Sequence, residues 1–331
     1  MRAVLSKAVG GPETITLGDV ATPEPAEDQL LIRVRACGLN FPDLLMVRDL
    51  YQVKPPRPFV PGIEVAGEVA AVGSGVSGFK IGDRVSGTMA YGGMAEFAVA
   101  AASKCIVIPD SVPHDDAAAF VTTYGTTYHA LKQRARAMAG ETLLVLGASG
   151  GVGLSAVELG KLMGMKVIAA ASTQAKVDLA LKRGADQGVV YPANVTAASI
   201  KELSQLFKSV IGPNGVDVVY DSIGGPYSEA AFRSMAWRGR FLVIGFPAGI
   251  SSIPLNLTLL KGAEIVGVFY GSFTEREPEL HMQNTRELLD LYVAGKFRPC
   301  ISARYSFADA AKGFAALGDR TATGKIVLTP E

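Results

Sequence analysis

An excess of charge of either sign is missing from this chain: 32 lysines and arginines face 31 aspartates and glutamates, a formal net charge of +1 over 331 residues. With no run of basic residues there is no electrostatic footprint for nucleic acid or an anionic membrane surface. No window of about 18 uncharged apolar residues occurs, which argues against a membrane-spanning helix. The opening Met1-Arg2-Ala3-Val4-Leu5-Ser6-Lys7 lacks the apolar core of a secretion signal, so the expected location is cytoplasmic. Cysteine is scarce: Cys37, Cys105 and Cys300 are odd in number and far apart, without a C-x-x-C pair. They offer no disulfide framework and are expected to be reduced, buried small hydrophobes. Histidine is equally scarce, and His114, His129 and His281 are isolated from one another and too few for a metal site of their own.

What is present is apolar and glycine-rich, 49% hydrophobic with 37 glycines, in a chain long enough for two domains around separate cores. Up to about Val121 short strands alternate with Gly and Pro, as in Leu30 to Ala36, Val65 to Val72 and Ala95 to Val99, and glycines crowd the stretch from Gly62 to Gly87. That pattern predicts an irregular β domain turning tight corners. After Thr122 strands and helices alternate, with strands at Leu143 to Leu146, Val167 to Ala171, Val189 to Tyr191, Val216 to Tyr220, Phe241 to Gly245 and Ile265 to Val268. Their nearly continuous Val, Ile, Leu and Ala content is what strands covered on both faces require, so the fold class is α/β with a doubly wound parallel sheet. The tail, with a helix over Met282 to Ala294, is too short to bury a core and is expected to fold back onto the first domain.

The first of those strands runs into Gly147-Ala148-Ser149-Gly150-Gly151-Val152-Gly153, followed by an amphipathic helix from about Val152 to Met163 and a second apolar strand. The glycine spacing is G-x-x-G-x-x-G with an additional Gly151, a departure from G-x-G-x-x-G, yet the strand-turn-helix-strand context is the one a dinucleotide site needs. Gly150, Gly151, Val152 and Gly153 would bring backbone N–H groups and the positive helix end to a pyrophosphate. An acidic residue at the end of the second strand would bind a ribose 2′-OH and repel a 2′-phosphate. Here stand Ala171, Ser172 and Thr173, with Lys176 one helical turn later, which points to NADPH.

At this level of detail the chain resembles the zinc-independent quinone oxidoreductases of the medium-chain dehydrogenase/reductase superfamily, related to zeta-crystallin. The resemblance is carried by Ala36-Cys37-Gly38-Leu39-Asn40-Phe41-Pro42-Asp43, Pro61-Gly62-Ile63-Glu64-Val65-Ala66-Gly67, Gly92-Gly93-Met94-Ala95-Glu96, the glycine turn, and the closing Gly324-Lys325-Ile326-Val327-Leu328. It implies a GroES-like catalytic β-barrel built from residues 1–122 and 267–331 around a Rossmann domain of residues 123–266. It implies further that Lys176, Tyr191 and Arg320 hold the 2′-phosphate, and that Asn40 and Thr126 lie beside the nicotinamide and its ribose. Gly224, Gly245, Phe246, Phe269 and Tyr270 should line the loops after the later strands, and the molecule should be a homodimer. The apolar sixth strand, an open edge unless covered, agrees with pairing between copies.

Where alcohol dehydrogenases of the superfamily place their first zinc-binding Cys this chain has Asn40, and where they place a His before Glu it has Ile63-Glu64; neither substitute is a zinc ligand of the usual kind. Without that Lewis acid a substrate must disperse its own charge, as quinones and α,β-unsaturated carbonyls do. Asn40 and Tyr51 are the candidate catalytic hydrogen-bond donors, and Asp43 is expected to brace its loop. An enoyl-thioester reductase is the alternative within enzymes, with Arg48, Lys54 and Arg57 as candidate bases for a phosphorylated carrier. A non-enzymatic, crystallin-like NADPH-binding protein is the alternative outside them.

Overall fold

The computed structural model describes residues 1–330. In chain order the first part contains β1 (Arg2–Ser6), β2 (Ile15–Asp19), β3 (Gln29–Leu39), α1 (Phe41–Val47), β4 (Glu64–Val72), β5 (Arg84–Thr88), β6 (Phe97–Ala101), β7 (Cys105–Val107) and α2 (His114–Tyr128). The middle alternates β8 (Thr142–Leu146), α3 (Gly151–Leu162), β9 (Lys166–Ala171), α4 (Gln174–Lys182), β10 (Gln187–Val190), α5 (Ile200–Ile211), β11 (Val216–Asp221), α6 (Pro226–Phe232), β12 (Met235–Val243), α7 (Asn256–Lys261) and β13 (Glu264–Gly267). The tail adds α8 (Tyr270–Arg276), α9 (Pro278–Val293), β14 (Ile301–Ser306), α10 (Ala310–Gly318) and β15 (Lys325–Thr329). None of the described helices is long and apolar enough to cross a membrane.

The chain divides into two compact units, residues 1–122 with 273–331, and residues 123–272. The return to the first unit thus falls at Ser272/Phe273 rather than at the expected Val266/Gly267. The physical reason is local: Val268 N–H continues the sheet by bonding the Val243 carbonyl, and Tyr270 lies against Gly125, so the residues just after β13 stay with the second unit.

In the first unit β3 is the hub. One edge pairs antiparallel with β4, and the other is shared by β6, over Gln29 to Arg33, and β15, over Cys37 to Leu39. Leu30, Ile32 and Val34 alternate into the core with period two, and register shifts against β4 bend the strand, as bulges do. The tail therefore folds back as expected, through β15.

In the second unit six parallel strands lie in the order β10-β9-β8-β11-β12-β13, the doubly wound arrangement the strand-helix alternation predicts. Leu143 to Leu146 are all fully buried, which is why that run shows no polar alternation. β12 begins at Met235, earlier than the expected Phe241, because Val216 pairs with Met235 before a bulge resets the register to Val218 opposite Arg240. The polar Arg238-Gly239-Arg240 stretch, with Arg238 at φ 62°, hides that start from a hydrophobic pattern.

Candidate functional site

The glycine turn is built as a cradle. Gly147, at φ 72°, and Ala148 both donate their N–H to the Ala170 carbonyl at 3.0 and 3.1 Å, tying the end of β8 to β9. Gly150 is the N-cap of α3, has no side-chain cap, and its carbonyl accepts the first helical bond from Leu154 at 2.8 Å. The N–H groups of the first helical turn are therefore offered to whatever approaches. Two glycines here serve different ends. A Cβ on Gly153 would stand 2.0 Å from the Gly147 carbonyl oxygen, so glycine lets the helix touch the turn that leaves the strand. A Cβ on Gly150 would meet nothing closer than 3.6 Å, at an ordinary φ of −76°, so the protein's own packing leaves room there. That room beside free N–H groups fits a dinucleotide pyrophosphate.

Ser172 and the N-cap Thr173 follow β9, and Thr173 Oγ1 accepts the Lys176 N–H at 3.3 Å, which starts α4 with Lys176 half-buried on its first turn. Tyr191 is joined to the end of β9 by its N–H to the Ala171 carbonyl at 2.9 Å. Its ring, however, is buried, with its centroid 4.9 Å from that of Tyr227, so most of this residue is core rather than surface. After β11, the Asp221 carboxylate accepts the N–H groups of Ile223 and Gly224, each at 2.9 Å, and Gly224 takes φ 77°. After β12, Gly245 is uncrowded and Phe246 is exposed, as is Phe269. Thr126 is buried on α2 next to Gly125, and only a hydrogen at Gly125 lets the Tyr270 hydroxyl lie against it. The structure thus brings Thr126 and Tyr270 to one place, a juxtaposition that the sequence gives no signal for beyond Gly125 itself.

In the first unit Asn40 follows β3 directly and is the N-cap of α1, with extended backbone at φ −122°. The buried Asp43 carboxylate braces this corner: Oδ2 accepts the Asn40 N–H at 2.8 Å and Oδ1 the Gly62 N–H at 3.0 Å. Burial pushes the Asp43 carboxyl up to about 7 against the opposing pull of those two N–H groups and of Lys325. The Asn40 side chain donates from Nδ2 to the Gly38 carbonyl at 2.9 Å and to Glu64 Oε2 at 3.2 Å, while Lys325 Nζ donates to Asn40 Oδ1 at 2.7 Å and to Glu64 Oε2 at 3.2 Å. Glu64 Oε1 accepts the Thr122 N–H at 2.8 Å. Gly38 makes the cluster possible, since a Cβ there would lie 2.0 Å from the Ala118 carbonyl oxygen. Both amide hydrogens of Asn40 are therefore engaged inside the protein, which leaves it no hydrogen for the donor role. Glu64 and Lys325 are the site residues that sequence reasoning named only as motif letters.

Tyr51 is half-buried, and burial, followed by the nearby Asp43 charge, raises its phenol above the usual range, so it stays protonated. Arg320 is exposed beyond α10 with left-handed backbone at φ 56°. Arg57 does not serve as a free base for a carrier: it pairs with Asp49 at 2.8 Å and donates to the carbonyls of Met46 and Val47, capping α1. Cys37 and Cys105 are buried free thiols as expected, but Cys300 is partly exposed, because it sits where the chain enters β14. Among the described residues no three His, Cys, Asp or Glu side chains gather into a metal-binding group.

Residues 26–110 match the family model of the alcohol dehydrogenase GroES-like domain, and residues 151–286 that of the zinc-binding dehydrogenases. The rat quinone oxidoreductase-like protein 2 is 35% identical over 96% of this chain and 89% of its own length, and human quinone oxidoreductase is 32% identical over 99% and 97%. Among solved structures, Escherichia coli quinone oxidoreductase complexed with NADPH is 28% identical with a TM-score of 0.88, covering 100% of both chains. A mycobacterial protein complexed with NADPH is 31% identical with a TM-score of 0.92, again over 100% of both. With such identity running from end to end and the expected pair of folds in place, the chain belongs to the quinone oxidoreductase family of the medium-chain dehydrogenases/reductases.

Proposed function

We propose that this oxidoreductase reduces quinones and other α,β-unsaturated carbonyls with NADPH, without zinc, as a homodimer. The observation that carries the reading is the set of groups around Asn40: its amide bonds both the Lys325 ammonium and the Glu64 carboxylate, which pair with each other, while Asp43 holds its backbone N–H. An ammonium there repels a metal cation, and the neighbouring Cys37 thiol is held protonated by burial, whereas a metal needs thiolate.

When bound, NADPH supplies a hydride from its nicotinamide ring. The α3 N-terminus from Gly150 to Gly153 holds the pyrophosphate, and Ser172, Lys176, Tyr191 and Arg320 recognise the 2′-phosphate, with Lys176 and Arg320 providing the charge. Tyr191 contributes from a largely buried ring. Asn40, Thr126, Gly224, Gly245, Phe246, Phe269 and Tyr270 set the position of the nicotinamide half. Losing a Lewis acid costs several kcal/mol in the reduction of a simple ketone, so conjugated acceptors, which spread the incoming charge, are favoured. Tyr51, kept protonated, is the side chain able to donate a hydrogen bond to the acceptor oxygen.

The test is a panel of 1,4-quinones, enones, 2-alkenals and crotonyl-CoA, each with NADPH. Higher kcat/KM for quinones and enones supports the proposal, while preference for crotonyl-CoA would move it to enoyl-thioester reduction. Tight NADPH binding with no oxidation across the panel would make the protein a binding protein. One firmly held zinc per chain after gel filtration would overturn the metal-free chemistry.

A further inference from the structure

The closing glycine-lysine pair enters the fold as the start of β15. Gly324 has φ 65°, and a Cβ there would lie 2.1 Å from the Cys300 carbonyl oxygen, the same oxygen that accepts the Lys325 N–H at 2.7 Å. β15 then runs antiparallel to β3 with Ile326 opposite Leu39, so the preceding Lys325 comes opposite Asn40. Its side chain is only 5% exposed, and that of its ion-pair partner Glu64 is 0% exposed.

A lysine ammonium has three donors and no acceptor. Facing it, Asn40 has to present oxygen. On the opposite side of the carboxamide stand the Gly38 carbonyl and Glu64 Oε2, both acceptors, and facing them Asn40 has to present its NH2. Turning the amide over would set hydrogens against the ammonium and oxygen against two acceptors, so a single orientation survives. Any hydrogen bond from Asn40 to a ligand is then one that Asn40 accepts at Oδ1.

We propose that Lys325 is a positioning residue for Asn40: anchored by Glu64, its ammonium fixes the carboxamide in the orientation that leaves Oδ1, and not the NH2, as the atom able to engage a ribose hydroxyl of the cofactor. The inference rests on the reading of Asn40 as a residue beside the nicotinamide ribose. A buried ion pair contributes little net stability against an apolar replacement, so stability alone gives weak reason for a lysine here. The role of Asn40 changes with it, from donor to oriented acceptor.

The experiment compares the wild type, Asn40→Ala, Lys325→Met and the double variant by fluorescence titration of NADPH and by steady-state kinetics. Lys325→Met is expected to raise Kd and KM for NADPH by about tenfold while kcat changes by less than about threefold, and adding Asn40→Ala is expected to cost nothing further, as for two residues acting as one unit. Additive losses in the double variant, or wild-type affinity in Lys325→Met, would overturn the inference. If Lys325→Met does not fold, because Glu64 is left without its cation, the same comparison is made in Lys325→Met/Glu64→Gln with and without Asn40→Ala. Wild-type Kd and kinetics in Asn40→Ala alone would overturn the reading of Asn40 beneath the proposal; a weakened Asn40→Ala with additive Lys325 losses would overturn the Lys325 role only.

Discussion

Two glycines in one turn, three residues apart, make opposite predictions under the same substitution. In Gly153→Ala the new Cβ would sit 2.0 Å from the Gly147 carbonyl oxygen and 2.8 Å from its carbon, both backbone atoms, where ordinary contact begins at 3.4 Å. Relief would require α3 to withdraw from the Gly147-Ala148 turn by about 1.4 Å. Overpacking of this kind costs about 3 kcal/mol or more, against about 1 kcal/mol regained from alanine's helix propensity. The net loss of about 2 kcal/mol should lower the Tm of the cofactor-free protein by about 4 °C or more. In Gly150→Ala the Cβ meets no protein atom closer than 3.6 Å, and the N-cap change costs about 1 kcal/mol at most. The methyl would instead occupy the approach of the pyrophosphate, so NADPH Kd should rise by about tenfold or more while Tm stays within about 4 °C. Thermal melts of the cofactor-free proteins and fluorescence titrations with NADPH measure both quantities. Wild-type NADPH affinity in Gly150→Ala would refute the placement of the cofactor over this turn, and a wild-type melt in Gly153→Ala would refute the contact between α3 and the Gly147 turn.

NADPH should bind at least about tenfold tighter than NADH, and Lys176→Ala should erode that preference, because the charge facing the 2′-phosphate is lost while no acid after Ala171 repels it; equal dissociation constants for the wild type would sink this. Asp43 gives a pH signature. Its folded-state value of about 7 lies above that of the unfolded chain, so between about pH 4 and 7 the native state holds a proton that the unfolded state has lost, and stability falls as pH rises through that window. Urea denaturation across pH 4 to 7 should therefore show the wild type declining relative to Asp43→Asn, and a constant difference between the two would count against the buried acid. Ile250, Leu255, Leu259, Leu260 and Trp237 are each more than two-thirds exposed in the unit whose sheet ends at β13, and exposed apolar side chains such as these would be covered if two copies paired. Light scattering should give the dimer mass for the wild type and a monomer for Leu259→Glu/Leu260→Glu, while a monomeric wild type at micromolar concentration would overturn the homodimer.

Most of the second unit was legible because its signals are local. A buried strand, a glycine turn, a helix and a second strand follow one another within Thr142 to Ala171, and each strand is apolar throughout because it is covered on both faces. β12 escaped in part, since its first residues pair through a bulge and carry two arginines. Tyr191 shows the limit of carrying a residue over by position: expected as the last residue of its strand, it falls just past β10, and its burial was invisible. Arg57 shows the same limit from the other side: a charge that reads as surface base is folded over the end of α1.

By itself the sequence determined the two-part architecture, the dinucleotide turn and the family, because each depends on residues close together along the chain. Only the tertiary structure decided what Asn40 can do. Lys325 lies 285 residues away and reaches Asn40 through the pairing of β15 with β3, and Glu64 arrives from a third strand. Hydrogen-bond direction is set by which partners surround a group, so whether this amide gives or takes a hydrogen bond is written in the sheet register rather than in the residue.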